Sequence, residues 1–248
     1  MSFVRIAIRM SAVEAIRGKT VVGDNVLDSE IGVLDMAADG SLRTDTDKPF
    51  MSVYTDDSKC DSGLSLRALA SPGDLDLFFE SGIATAHSVT DPNTDESVVF
   101  GMPATDANFE FFLDVGIHQI ADALNDPDNE WAEIFRSLIT NIRRAERARV
   151  TGDMNGVRLA AHQLKIVCET VAEPLRRMPL NPTSPMARFL AKCESDLAPT
   201  RPDIAAKVAL MRAQIEGDDT DLQTARRRYG LLFSEADAML ITPFEAAP

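Results

Sequence analysis

The feature that most limits what this chain can fold into is a short extended run, residues 50–55, which follows an amphipathic helix and a turn-rich loop. Phe50, Val53, Tyr54 and Thr55 favour the pleated strand, and the run is bounded by Pro49 and by Asp56-Asp57, a pair that reads as a turn. Ahead of it, Phe3, Ile6, Met10, Val13 and Ile16 recur at three- and four-residue steps, predicting a helix over residues 3–16 that Gly18 ends. A helix that crosses a loop to feed a strand is the start of a layer of helices on a sheet.

Later segments extend that layer. Leu75, Leu77 and Phe79 alternate and Ile83 follows Gly82, predicting a second strand over residues 74–88 with a bulge at the glycine. A strand fragment is expected at 98–100. Thr105 or Asp106 caps a helix over 107–124, whose stripe is Phe109, Leu113, Ile117, Ile120 and Leu124. Pro127 opens the next helix, through Trp131, Ile134, Phe135, Leu138 and Ile142, with a basic continuation over 143–150 that ends at Gly152. Asp153, Asn155 and Gly156 read as a turn. A third strand is centred on 163–171, with a helix through Ala161 as the rival reading.

Four of the thirteen prolines fall in residues 174–185, a linker, and beyond it helices are expected at 186–196, 203–215 and 222–229, with a stop at Gly230. The expected fold is α/β (α+β): a small, mostly antiparallel or mixed sheet flanked by helices in residues 1–175, and a helical extension in 176–248. Strands 50–55, 75–86 and 163–171 should share one sheet, with helices 3–16 and 107–124 packed on it.

Motifs for chemistry are incomplete. Gly18-Lys19-Thr20 resembles the end of a phosphate loop, but position 13 is Val where a glycine is required, and a helix precedes it. Asp45-Thr46-Asp47 begins like a calcium loop, yet its turn position is Phe50. Glu110, Asp114 and His118 share a helix face, which reads as a solvated face with an Asp114–His118 pair because no second ligand-bearing helix exists. The three histidines, His87, His118 and His162, accompany no G-x-S-x-G elbow, and Cys60 lies in an Asp-rich stretch that disfavours its thiolate. No catalytic, cofactor or metal residues are assigned, and no enzyme activity is expected.

Charge and cysteine content narrow the partners. The formal net charge of −14 repels nucleic acid, so sequence-specific DNA binding is not expected. The basic run of Arg143, Arg144, Arg147 and Arg149 reads as a rim that pairs with acidic neighbours, its own or another subunit's. Cys60, Cys168 and Cys193 fit neither a zinc pattern nor a disulfide framework, and a reducing cytoplasm suits them. No apolar run approaches the roughly 18 residues of a membrane span, and no signal peptide is read.

The opening region also carries a resemblance. A helix, then Arg17-Gly18, Thr20, Gly23-Asp24, Asp28-Ser29, Ile31 and Leu34-Asp35, then Pro49-Phe50 and Val53-Tyr54-Thr55-Asp56-Asp57, is similar to the N-terminal region of tail terminator (tail completion) proteins of long-tailed, siphovirus-like phages and prophages. The similarity continues in order through the segment around Leu75–Phe79, the helix from 105 to 124, the Trp131 helix, and residues 156–164 leading to Glu173-Pro174, and it covers most of the chain. The last stretch, 225–243, resembles the close of longer members. Smaller terminators lack the helical extension, so its role does not carry over.

What the resemblance implies is a structural virion protein at the head–tail junction, assembled in the host cytoplasm. It would form a homohexameric ring that caps the head-proximal end of the tail tube. Its partners would be itself, the tail tube protein and a head completion or stopper protein, with DNA passing through the lumen without specific contacts. Interface positions are expected at Asp24, Asp28, Asp56, Asp57 and Arg17, on or near the loops 18–48 and 56–63, and at Trp131 in its helix. The rival readings are an adaptor or stopper of the same connector, and an acidic cytosolic enzyme.

Overall fold

A computed structural model describes residues 2–29, 49–59, 73–83, 86–90, 97–101, 107–154, 157–174 and 178–217. For residue 83 and for 86–90, 97–101, 107–109, 150–154 and 157–161 it describes the backbone alone. The chain divides into two compact units, Met1–Glu173 and Pro174–Pro248.

The first unit is an α+β fold built on a mixed five-stranded sheet. In chain order its elements are α1 (Phe3–Ile16), β1 (Val26–Asp28), β2 (Pro49–Lys59), β3 (Asp74–Ile83), β4 (Ala86–Thr90), β5 (Ser97–Gly101), α2 (Ala107–Asn125), α3 (Glu130–Leu138), β6 (Ile139–Met154) and β7 (Val157–Thr170). The sheet order is β1-β2-β3-β7-β6, with β1 parallel to β2 and every other pair antiparallel. β4 and β5 form a separate antiparallel pair. The three expected strand regions do share one sheet, and α1 and α2 pack on it.

α1 is the centre of this unit. Ser2 caps it by accepting from the Arg5 amide at 3.0 Å, and the Glu173 carboxylate accepts from the Phe3 and Val4 amides at 3.2 and 3.0 Å. A negative group at a helix N-terminus satisfies orphan donors and opposes the helix dipole. The helix contacts β1 and β2 as well as α2 and α3, so its buried surface is wider than one stripe: Val4, Ala7, Ile8, Ala12 and Ala15 are buried with Met10, Val13 and Ile16, whereas Phe3 and Ile6 are half-buried. Three alanines let neighbouring helices and strands approach closely.

Register divides the sheet into two faces. On the helix side lie Met51, Val53, Leu75, Leu77, Phe79, Leu164 and Cys168, all buried. α2 crosses this face at Gly116, where a Cβ would stand 3.5 Å from Ser81 Oγ. The opposite face carries Tyr54, Phe78, Glu80, Gln163 and Lys165, all half-buried.

Several expectations are corrected. Asp56 and Asp57 are no turn but lie inside β2, which continues to Lys59 past a bulge between Thr55 and Ser58. The second strand stops at Ile83, and residues 86–90 belong to the other sheet. Gly82 is not bulged: it pairs in regular register with Phe50 and Ala161, and its missing Cβ makes room for the Phe50 ring. The helix expected from Pro127 through Ile142 begins at Glu130, after the N-cap Asn129, and ends at Leu138. The basic run that followed it is a strand, because Ile139, Thr140 and Ile142 are β-branched and β7 pairs alongside from Ile139 to Met154, with register shifts between Ile139 and Asn141 and between Ile142 and Arg144. β1, within the expected loop, was not foreseen; three residues are too few to show a period.

In the second unit, Ser184 caps α4 (Pro185–Lys192), a π-helical turn spans Cys193–Leu197, and α5 (Pro202–Glu216) ends at Gly217 in the left-handed conformation, φ 77°. Met186, Phe189, Leu190, Cys193, Leu197, Ile204, Val208, Met211 and Ile215 are buried. Arg212 bridges Glu194 and Glu216 at 2.8 and 3.0 Å. The expected helix at 222–229 lies outside the described residues, as do the positions 30–48 and 60–72.

Candidate interaction surface

β6 forms one edge of the sheet and, among the described residues of that sheet, pairs with β7 alone. Residues 140–149 are exposed, Ile142 among them at 54%. The β6–β7 ladder also runs past β3: the last β3 pair is Ile83 with Ala160, while β6 continues with Leu159, Arg158 and Val157. A long edge strand leaves backbone donors and acceptors open to another chain. The asparagine-glycine pair at 155–156, between runs of alternating character, is the signal that could have predicted this hairpin.

The arginines of β6 fall into two groups. Arg143 Nε meets Asp74 at 2.9 Å and its guanidinium also bonds Glu169, which holds its pKa above the ordinary value. Arg149 meets Glu110 Oε1 at 2.6 Å. Among the described residues, Arg144 pairs with its strand neighbour Glu146 at 3.3 Å and Arg147 has no ion-pair partner.

Glu110 anchors a clasp between α2 and the hairpin. Its second carboxylate oxygen meets His162 Nε2 at 2.9 Å, and Asp114 meets His162 Nδ1 at 3.1 Å. The helical spacing of Glu110 and Asp114 puts both carboxylates over one strand residue, which spacing within α2 alone could not reveal. The expected Asp114–His118 pair is therefore corrected: His118 faces Asp122 at 3.5 Å on the exposed side. Among the described residues, no group of three or more His, Cys, Asp or Glu side chains is arranged to hold a metal ion. His87 side-chain placement and Cys60 lie outside what the structure describes.

The expected interface positions are spread over the opposite edge and its supports. Asp24 is exposed just before β1, and Asp56 and Asp57 are exposed on β2. Asp57 pairs with Lys59 at 2.9 Å, which lowers its pKa. Asp28 is committed inward, meeting Arg9 Nε at 2.5 Å. Arg5 follows the same pattern one turn earlier, donating to Thr55 Oγ1 at 2.6 Å, to the Thr55 carbonyl, and to the Asp56 carbonyl at 2.9 Å. Arg17 caps α1 and reaches Glu14 and the Val26 carbonyl. Trp131 is half-buried in the first turn of α3, its amide bonded to Asn129. The structure thus groups Asp24, Asp56 and Asp57 near one edge and leaves Trp131 with α3.

The outer sheet face holds a polar and aromatic layer. Tyr54 stacks on Phe78 with centroids 5.2 Å apart, Lys165 lies 5.2 Å from the Phe78 centroid, and Lys165 Nζ meets Asp76 at 2.6 Å. Gln163 donates to the Tyr54 hydroxyl at 3.2 Å. Burial, reinforced by Glu80, pushes the Tyr54 phenol up to about 12, and burial raises the Glu80 carboxyl as well. Phe111 and Phe112 on α2 are exposed at 69% and 39%, additional apolar surface on this unit. No family model matches the chain, and no curated protein is similar to it.

Proposed function

We propose that this chain is a structural protein of a phage tail: a terminator that closes the head-proximal end of the tail tube as a ring and presents a new face to the head connector. The observation that carries the reading is the five-stranded sheet with helices against one face and a long open edge strand. Adaptors of the connector are dominated by helices, so a sheet of this size favours the terminator over that rival. The ordered resemblance described above supplies the specific role, and the polar, sparsely apolar exposed edges suit contact between proteins.

A tube of stacked rings presents the same open end after each addition, so growth continues until something binds that end and offers a different face. The tail tube protein is therefore one partner and a head completion or stopper protein the other. The acidic chain suits a lumen through which DNA passes without sticking. Electron microscopy of lysates lacking this protein tests the reading. The expected result is filled heads without tails and tubes of uncontrolled length. Tubes of normal length attached to heads overturn it, and detached tubes of normal length assign the protein to the adaptor or stopper role.

A further inference from the structure

We infer that the two edges of the sheet are the two halves of one self-assembly contact: the β6 edge of one copy docks on the acidic β1–β2 edge of the next. The inference deepens the ring reading and rests on it for closure of the copies into a ring. Its starting point is β6. β6 lies at a sheet edge, and after register shifts between Ile139 and Asn141 and between Ile142 and Arg144 it runs in regular register to Met154, with 144–149 exposed, a stretch that can meet another chain. Charge decides which chain. Two β6 edges placed side by side would bring together two surfaces of net positive charge, each with four arginines against Glu146 over residues 143–149, so a two-fold pairing of identical edges is disfavoured. An acidic surface is accepted, and a second copy of a chain with net charge −14 supplies one.

The opposite edge has the matching character. β1 covers β2 only from Met51 to Val53. Past that point Asp56 and Asp57 are exposed, with Asp24 at the start of the same edge. Arg5 occupies the Thr55 and Asp56 carbonyls, so this edge offers carboxylates more than open backbone. Asp57 already has Lys59 as a partner, but both are more than half exposed, and such a pair yields readily to a better one. On β6, Arg143 and Arg149 are engaged with other elements of the copy, whereas among the described residues Arg147 has no ion-pair partner and Arg144 holds Glu146 in an exposed pair at 3.3 Å that can yield to a better one. Because β1 and β6 end the sheet on opposite sides, the contact is head-to-tail, the type that generates closed rings or filaments.

The experiment uses the full chain, with mass photometry and light scattering at low and high salt. Wild type should assemble beyond a dimer, less so in high salt. The double reversal Arg144→Glu/Arg147→Glu should weaken assembly about tenfold or more, as should Asp56→Lys/Asp57→Lys, with unchanged circular dichroism. Mixing the two reversed proteins should restore assembly, because alternating copies recreate opposite charges at every contact. Should either double variant fail to fold, Arg147→Glu and Asp57→Lys carry the same test. Wild type that stays monomeric, reversals without effect, or a mixture that does not recover overturns the edge contact. None of those results bears on tube length in lysates, so failure of this contact and failure of the terminator reading are separable.

Discussion

Gly82 gives the sharpest test of how the sheet is packed. A Cβ added there would lie 2.5 Å from Phe50 Cζ and 2.9 Å from Cε1, about an ångström inside the roughly 3.5–4.0 Å of carbon–carbon contact. Phe50 is 4% exposed, so its ring has little room to retreat. Gly82→Ala should therefore destabilise the first unit by about 1–3 kcal/mol through overpacking. Phe50→Ala removes the ring and costs about 3–5 kcal/mol, but in that background Gly82→Ala should be nearly neutral, since the methyl enters vacated space. The cycle should thus show a coupling of about 1–3 kcal/mol. Trp131 is the only tryptophan and belongs to this unit, so its fluorescence in urea titrations reports the relevant transition. Additivity within about 0.5 kcal/mol, or a Gly82→Ala cost below that, would refute the reasoning.

Other substitutions probe separate supports. Glu173→Gln keeps the shape but removes the charge at the start of α1, and should cost about 0.5–2 kcal/mol in the same urea titration. Glu80→Gln should stabilise the protein at pH 7. Burial raises the Glu80 carboxyl, so the folded state binds the proton more tightly and the stability from this group is lost as pH rises through the folded value; the advantage of Gln should vanish below the ordinary 4.5. In a chain with Cys60 and Cys193 changed to Ser, Cys168 should resist thiol reagents at pH 8 until unfolding, because burial, aided by Asp74 and Asp76, pushes it up to about 12; rapid labelling of the folded protein would contradict this.

The sequence by itself determined the elements whose signals are local. α1 and α2 are legible because their apolar spacing repeats over several turns, β3 because Leu75, Leu77 and Phe79 alternate, and β2 because Phe50, Val53, Tyr54 and Thr55 favour a strand, whereas residues 163–171 left a helix as the rival until pairing with β3 decided it. The tertiary structure alone decided the rest. Residues 143–149 carry four arginines whose spacing suits a solvated helix, and they became a strand because β7 lay alongside with unused backbone groups. Glu110 and Asp114 share a helix face in any reading, but that face turned out to grip His162 and not His118, since the partner comes from a strand about fifty residues away. Gly82 looked like a defect in a strand until the Phe50 ring was seen to fill its place. Asp28 and Asp57 are alike in the sequence, yet one is bound by Arg9 and the other faces solvent beside Lys59. Local chemistry specifies how each segment prefers to fold; which segment meets which is a property of packing, and the candidate contact edges exist only once the sheet order is set.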